Sequence, residues 1–525
     1  MNRALKMHGS RPDPKLLQDL TPNCPQQLNK ETPLFSNIFW LSLGGALGYW
    51  LCTELATWLL SWLTPLLGVV NALLWTQLAQ LALLMILAFG LLQLAKRQKA
   101  LHALAGVVLL PLAVIVSWSG TLSLYRAELD LALTPALAKA RAVEIQPAQQ
   151  LELALQWQQQ QAPGAAQLYV EFASPRKPYL TLHLQQPGSW TLTRYWLQLP
   201  TVPAETGLNA LGEPSELTPG NSRHSVGELF FSLHYQLADL LKRAAQPLLI
   251  GLSIALLALA ASGIYLFWQR WRQAGTTQLF GQGPLRWHLV AALLSLPWLC
   301  WFFGSALLTQ YGAWAPELIK QHSTAYYQAL FPNPLPQPSA AANEAVMATT
   351  MPELATLLQK PGWPVAKVQL DLTSGKWLLT EQPTWPQTAP YQLRQQSLNA
   401  QLQTLPQAAY WQSTPWDLRN LGYAAHQSLY AGPALRAVLA LGGVLAILML
   451  CGAAESYGRK QSWWGLALLR ALGSGFVLAT FLLILLQLLR LPPASLALLT
   501  QLGICWGICG VVLISWTCWQ YRLQR

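Results

Sequence analysis

Eight stretches of about 20 or more mostly apolar residues divide the chain, at about 36–62, 67–95, 101–124, 246–268, 287–309, 434–453, 464–490 and 494–519. About 20 apolar residues in a helix cross the hydrocarbon layer of a bilayer, where each backbone group must find its partner inside the segment. Eight such runs leave room for little else than an α-helical polytopic membrane protein with about eight transmembrane helices. The charge content agrees. Only 10% of the 525 residues are charged and 53% are hydrophobic, whereas soluble domains carry about 25% charged residues. The 25 Trp suit the aromatic belts of a bilayer interface.

The net charge of +12 is unevenly placed. Residues 125–245 hold 9 Lys/Arg against 10 Asp/Glu, residues 311–432 hold 6 against 6, and the rest hold 18 against 5. The basic excess therefore sits at helix ends and in short loops. That orients a membrane protein and excludes a nucleic-acid reader, which needs a basic stripe on a folded domain. Lys96, Arg97 and Lys99, then Arg270 and Arg272, Arg459 and Lys460, and Arg522 and Arg525 mark every second loop. With residues 1–35 read as a cytoplasmic tail, both termini are cytoplasmic. The two polar segments then face the far side, the periplasm of a Gram-negative cell. The seven cysteines avoid those segments and form no CxxC pair, so neither a disulfide framework nor a thiolate metal site is expected.

The first polar segment, 126–230, predicts a helix over Pro147–Gln161 and strands over Gln167–Ala173, Pro178–Gln185 and Trp190–Leu199. The second, 311–425, predicts a helix over Pro352–Lys360 and strands over Val365–Leu372 and Lys376–Thr380, after a Pro/Ala-rich linker at Pro332–Ala342. Alternating apolar and polar residues suit half-buried antiparallel sheets. Two small α+β extracytoplasmic domains follow, one in each of two copies of a helix–domain–helix unit.

The duplication shows in spacing. His102 precedes Pro111 by the same interval as His288 precedes Pro297, and His234 and His426 precede the two leaving helices. By topology His102 and His288 share the inner face, and His234 and His426 the outer face. An imidazole at a single helix end is ordinarily just an interfacial polar residue. Four in duplicated register point to bis-imidazole ligation of haem b, with one or two haems, each histidine paired with its repeat counterpart. Lys99 and Arg286 inside, and Arg243 and Arg436 outside, are candidate partners for haem propionates. Ala103, Ala105, Gly106, Ala291 and Ala292 leave room for a flat ring. His8, His183, His224 and His322 lie in polar segments and need no special role.

The segments LHALAGVVLLPLAVIVSWSGTLSLYRAELD (101–130), LFFSLHYQL (229–237), ASGIYLFW (261–268) and RWHLVAALLSLPWL (286–299) resemble the PepSY-associated transmembrane family, also called iron-regulated membrane proteins. The resemblance covers about 100–460. It implies PepSY-like outer domains and, by analogy with some members, a haem oxidoreductase that reduces a periplasmic ferric-siderophore complex. By motif position, His102, His234, His288 and His426 take the haem-ligand role. The helix pairs at 36–95 and 464–519 depart from the four-helix core of the family. No cytoplasmic loop is long enough for a flavin or nicotinamide domain, so the electron donor is a quinol or a separate protein. Two other readings stay open: a non-enzymatic protein that binds peptides or restrains proteases, and a siderophore transporter. For the transporter, Glu54 and Glu455 are the only acidic residues in or beside the helices.

Overall fold

The computed structural model describes residues 34–94, 98–141, 143–174, 176–188, 192–200, 208–211, 215–217, 225–241, 244–274, 283–309, 353–358, 365–372, 375–381, 395–399, 402–403, 426, 432–459, 463–491 and 497–523. The linker at Pro332–Ala342, Arg243, His8, His224 and His322 lie outside them.

Six helices among the described residues are long and apolar enough to cross a bilayer: His102–Ser123, Ala245–Gln273, Gly283–Leu307, Pro433–Gly458, Trp463–Leu488 and Leu498–Leu523. The other two spans read from the sequence fall on α1 (Leu34–Leu94), which Gly68 breaks with φ 74° and ψ 158°, shortly after Pro65. Four helices form the core: α2 (Gln98–Ser123), α6 (Ala245–Ala274), α7 (Gly283–Thr309) and α9 (Pro433–Gly458). α9 packs along α7 and α2, and α6 packs on α7 and α2. Gly442 lets α9 approach closely, since a Cβ there would meet the Trp298 ring at 2.5–2.9 Å.

The C-terminal helices α10 (Trp463–Leu472), α11 (Ser474–Leu488) and α12 (Leu498–Leu523) are fastened to this core by polar contacts. Arg470 of α10 donates to both oxygens of Glu455 on α9, at 2.6 and 2.8 Å, and to Thr517 of α12 at 3.0 Å. Trp118 of α2 donates to Thr480 of α11 at 2.6 Å. Glu455 is thus neutralised by a helix tie and by Arg459, which leaves it no evident part in a transport pathway.

The polar segments are corrected in one respect. They do not form two separate sheets. One sheet runs β4-β3-β2-β1-β6-β7-β8, with β5 also on β3. Its strands are β1 (Gln167–Glu171), β2 (Leu180–Gln185), β3 (Leu192–Gln198), β4 (Asn209–Ala210), β5 (Ser215–Leu217), β6 (Val365–Asp371), β7 (Lys376–Glu381) and β8 (Gln395–Leu398). The first meander would leave β1 as an open edge and the second would leave β6. Pairing them antiparallel removes both edges. The register sets Leu168 opposite Leu370 and Val170 opposite Val368, so the apolar faces of both segments merge. Trp157 of α4 (Pro147–Gln161), Leu354 and Leu358 of α8 (353–358), and Trp377 close one shared core. Two further helices, α3 (Arg126–Leu133) and α5 (Val226–Gln236), pack on each other, and α5 packs on α2.

Candidate functional site

The end of the core that carries the sheet is called the outer level here. α5 buries Leu229, Phe230 and Leu233 in the core cluster and carries His234 in its last turn. Ser225 caps its N-terminus, accepting from the Glu228 N–H at 3.3 Å. His234 meets His426 with Nε2 to Nε2 at 3.1 Å, and the rings are tilted by only 15°. On the other side, His234 Nδ1 lies 2.9 Å from the Val116 carbonyl and His426 Nδ1 lies 3.1 Å from that of Phe302.

Val116 and Phe302 are equivalent positions. The interval from His102 to His288 also separates Pro111 from Pro297, Val116 from Phe302 and Ser119 from Ser305. Ser119 and Ser305 behave alike: each returns its hydroxyl to the carbonyl four residues earlier, at 2.6 Å. The contacts thus align Ser119 with Ser305. Gly120 is needed where it stands, because a Cβ there would lie 2.7 Å from the His234 ring.

At the inner level, His102 and His288 line a cavity of about 560 Å³ among α2, α6, α7 and α9. Ala103, Gly106, Gly263 and Ala292 make room, and Arg270 and Tyr457 also line it. That volume falls within the usual range for cofactor and small-molecule sites. His288 Nδ1 lies 3.0 Å from the Met449 carbonyl, and His102 Nδ1 lies 2.7 Å from Ser262 Oγ. Ser262 directs its own proton to the Leu259 carbonyl at 3.2 Å, so its oxygen accepts from His102. Each repeat therefore orients its own two rings: α2 and α6 hold one set, and α7 and α9 the other.

A carbonyl oxygen only accepts, so the Nδ1 facing it carries the proton. A neutral imidazole so fixed presents a bare Nε2. All four histidines reach this state, three through carbonyls and His102 through Ser262. At the outer level two lone pairs then face each other at 3.1 Å with no hydrogen between them. They repel unless an electrophile sits between them. Outer-shell bonds from the non-ligating nitrogen to a carbonyl are what metal-bound histidines require. Two imidazole–metal bonds of about 2 Å would need about 1 Å more separation than the outer rings show. One facing pair of bare Nε2 atoms at the outer level, and two histidines on one cavity lined by small residues at the inner level, form a donor set that suits bis-imidazole ligation. Among the described residues no cluster of three or more His, Cys, Asp or Glu suits a free metal ion.

The candidate propionate partners divide. Arg286 is exposed to the surroundings of the helix bundle and does not line the cavity. The Lys99 side chain and Arg243 lie outside the described residues. Arg436 is buried, and its Nη1 donates to Glu128 Oε1 at 2.9 Å. Arg270, which counted only toward orientation in the sequence, is the cationic side chain that lines the inner cavity. Its place two residues beyond ASGIYLFW was the available signal.

Ion pairs hold the outer level to the sheet. Arg194 of β3 pairs with both oxygens of Glu228 on α5, and both side chains are buried. Asp130 of α3 accepts from the Gly227 N–H at 2.7 Å. Burial raises the Asp130 pKa to about 6, against the lowering effect of the Ser225 hydrogen bond. Glu128 is also drawn upward by burial, but the hydrogen bonds from Arg176 and Arg436 keep it below the usual value.

Residues 99–453 match the family described as the PepSY-associated TM region, which is more than half of the chain. No curated protein matches the chain. The matched region holds all four histidines, both outer segments and the helices α2, α6, α7 and most of α9, and it ends before α10.

Proposed function

Because the chain belongs to the PepSY-associated transmembrane family, we propose that it is a multi-pass membrane oxidoreductase that carries electrons to a ferric, siderophore-type iron complex on the side of the sheet. In this reading His102 and His288 hold one haem b, and His234 and His426 a second. The observation that best supports it is the outer pair: two bare Nε2 atoms in facing register, each locked by a carbonyl behind it. Haem iron between two imidazoles exchanges one electron while keeping its ligands.

The chain's own part is positional. Val116, Phe302 and Met449 fix ring orientation through main-chain carbonyls, and Ser262 does so through its hydroxyl. The two levels are about 21 Å apart along α2, from the 14-residue helical rise between His102 and Val116. That is shorter than the full hydrocarbon thickness of about 30 Å. Arg270 and Tyr457 border the inner cavity, where an anionic edge of a bound group would be received.

The donor is a quinol or a separate protein at the inner level, and the acceptor complex gains one electron per iron. The same reading places the chain in the bacterial inner membrane with eight spans, two of them in α1. It puts the basic loops and both termini in the cytoplasm and the sheet in the periplasm. The deciding measurement is a dithionite-reduced minus oxidised spectrum of the purified protein with haem counted per chain. Two b-type haems are expected, and a protein with no reducible Soret band would overturn the proposal.

A further inference from the structure

Arg436 stands in the first turn of α9 with 7% of its surface exposed. A buried charge at a membrane helix end is costly and is ordinarily paired in full. Arg436 is not: its Nη1 donates to Glu128, but its buried Nε–H meets no acceptor among the described residues. Buried polar groups left without a partner are few in folded proteins and call for a reason.

Glu128 does not belong to Arg436 alone. Arg176 donates to both of its oxygens, from Nε and Nη2, each at 2.9 Å. One carboxylate thus serves two guanidiniums, and the group is left with a positive charge. The neighbouring carboxylates offer no relief. Glu228 is likewise shared between Arg194 and Arg126. Asp130 is spent on the N-terminus of α5. The group lies beyond the His234–His426 level, since Glu128 follows the end of α2 whose Gly120 touches His234.

We propose that Arg436, Glu128 and Arg176 form a carboxylate-binding site, in which an incoming carboxylate accepts from Arg436 Nε and completes the charge balance. Paired guanidinium–carboxylate geometry suits that ligand better than a point anion. The inference goes beyond the electron-transfer reading, because it requires an anion and no particular redox group. Two sources share the chemistry: the propionate of a bound haem, and the free carboxylate of an outside chelate.

The test uses the full purified chain, with citrate as the free-carboxylate probe and haem content and midpoint potential as the second readout. Arg436→Gln removes the donor, and Arg436→Lys keeps the charge without Nε. Arg176→Gln leaves Arg436 intact but gives it sole use of Glu128, and Arg176 lies at the protein surface, so that variant keeps the test valid if Arg436 variants fail to fold. If the carboxylate is free, wild type binds citrate, Arg436→Gln weakens binding at least tenfold, and Arg176→Gln weakens it several-fold. If it belongs to the haem, citrate does not bind, while Arg436→Gln and Arg176→Gln lower the midpoint of the outer haem or its occupancy. Folded variants indistinguishable from wild type in citrate affinity, haem content and midpoint would overturn the site. A wild type without haem that also fails to bind citrate would do the same, whereas citrate binding without haem would sink only the electron-transfer reading.

Discussion

At the outer level the two imidazoles meet at 3.1 Å, whereas at the inner level His102 and His288 share no hydrogen bond and line a cavity of about 560 Å³. The backing of the rings is nearly the same at both. Each Nδ1 is held by a group from its own repeat, and at the outer level each Nε2 is turned toward the other repeat. What differs is how the surroundings were carved. Small residues on α2, α6 and α7 keep the inner rings in open space. The outer rings are closed on each other and tied to the sheet through α5. The repeats are thus two self-sufficient ring holders, and whatever the rings bind lies on the seam between them.

That contrast can be broken most completely at the rings themselves. His234→Ala with His426→Ala should remove one of two reducible haem signals and nearly all ferric reduction, leaving the inner signal in place. Loss of both signals together, read by haem per chain, would show that the levels are not independent.

The next largest effect should come from the sheet tie. Glu228→Gln removes the carboxylate that pairs with the buried Arg194, and breaking a buried ion pair costs about 3–5 kcal/mol. Thermal or denaturant unfolding should show that loss, and the outer signal should broaden before the inner one.

Asp130 gives the outer level a pH dependence. Its pKa rises from 3.8 in the unfolded chain to about 6 in the fold, so the folded protein holds the proton more tightly. The stabilisation is complete below about pH 4, fades as pH rises toward 6, and amounts to about 3 kcal/mol at most. Stability curves between pH 4 and 7 should lose this slope in Asp130→Asn.

A smaller effect separates two glycines. Gly120→Ala would place a Cβ 2.7 Å from His234, while Gly263→Ala would meet His102 at 3.4 Å, an ordinary contact. The first should cost roughly 1–3 kcal/mol through overpacking and perturb the outer spectrum; the second should change neither. Smallest of all, Ser262→Ala removes the hydroxyl that holds the His102 Nδ1. Inner haem affinity should fall about tenfold, at the low end for outer-shell partners. Titration of apoprotein with haem would check it.

Much of the fold was legible because its signals are local. The alternation in QLYVEFA and PYLTLHLQ marks β1 and β2 to within a few residues, and the apolar runs mark the membrane helices. The β1–β6 pairing was hidden, since nothing within either meander says that its edge strand will seek the other. The histidines were visible as residues in register. The groups that orient them mostly were not, because Val116, Phe302 and Met449 act through carbonyls that any residue would supply. Ser262, and Ser305 at 3.2 Å from His426 Nδ1, had side chains that could have been noticed. β4, β5 and β8 are too short to leave a pattern.

The shared sheet sets a timetable for biogenesis. Residues 167–171 emerge well before residues 365–371, and at ordinary elongation rates the interval is roughly 10–40 s. Through that interval the nascent chain displays half a sheet with an apolar face and an open strand edge. Two membrane segments, α6 and α7, and the second meander must be placed before it closes. A chaperone acting in that window would find its target at β1, and slowing translation between the two meanders should expose β1 to protease for longer.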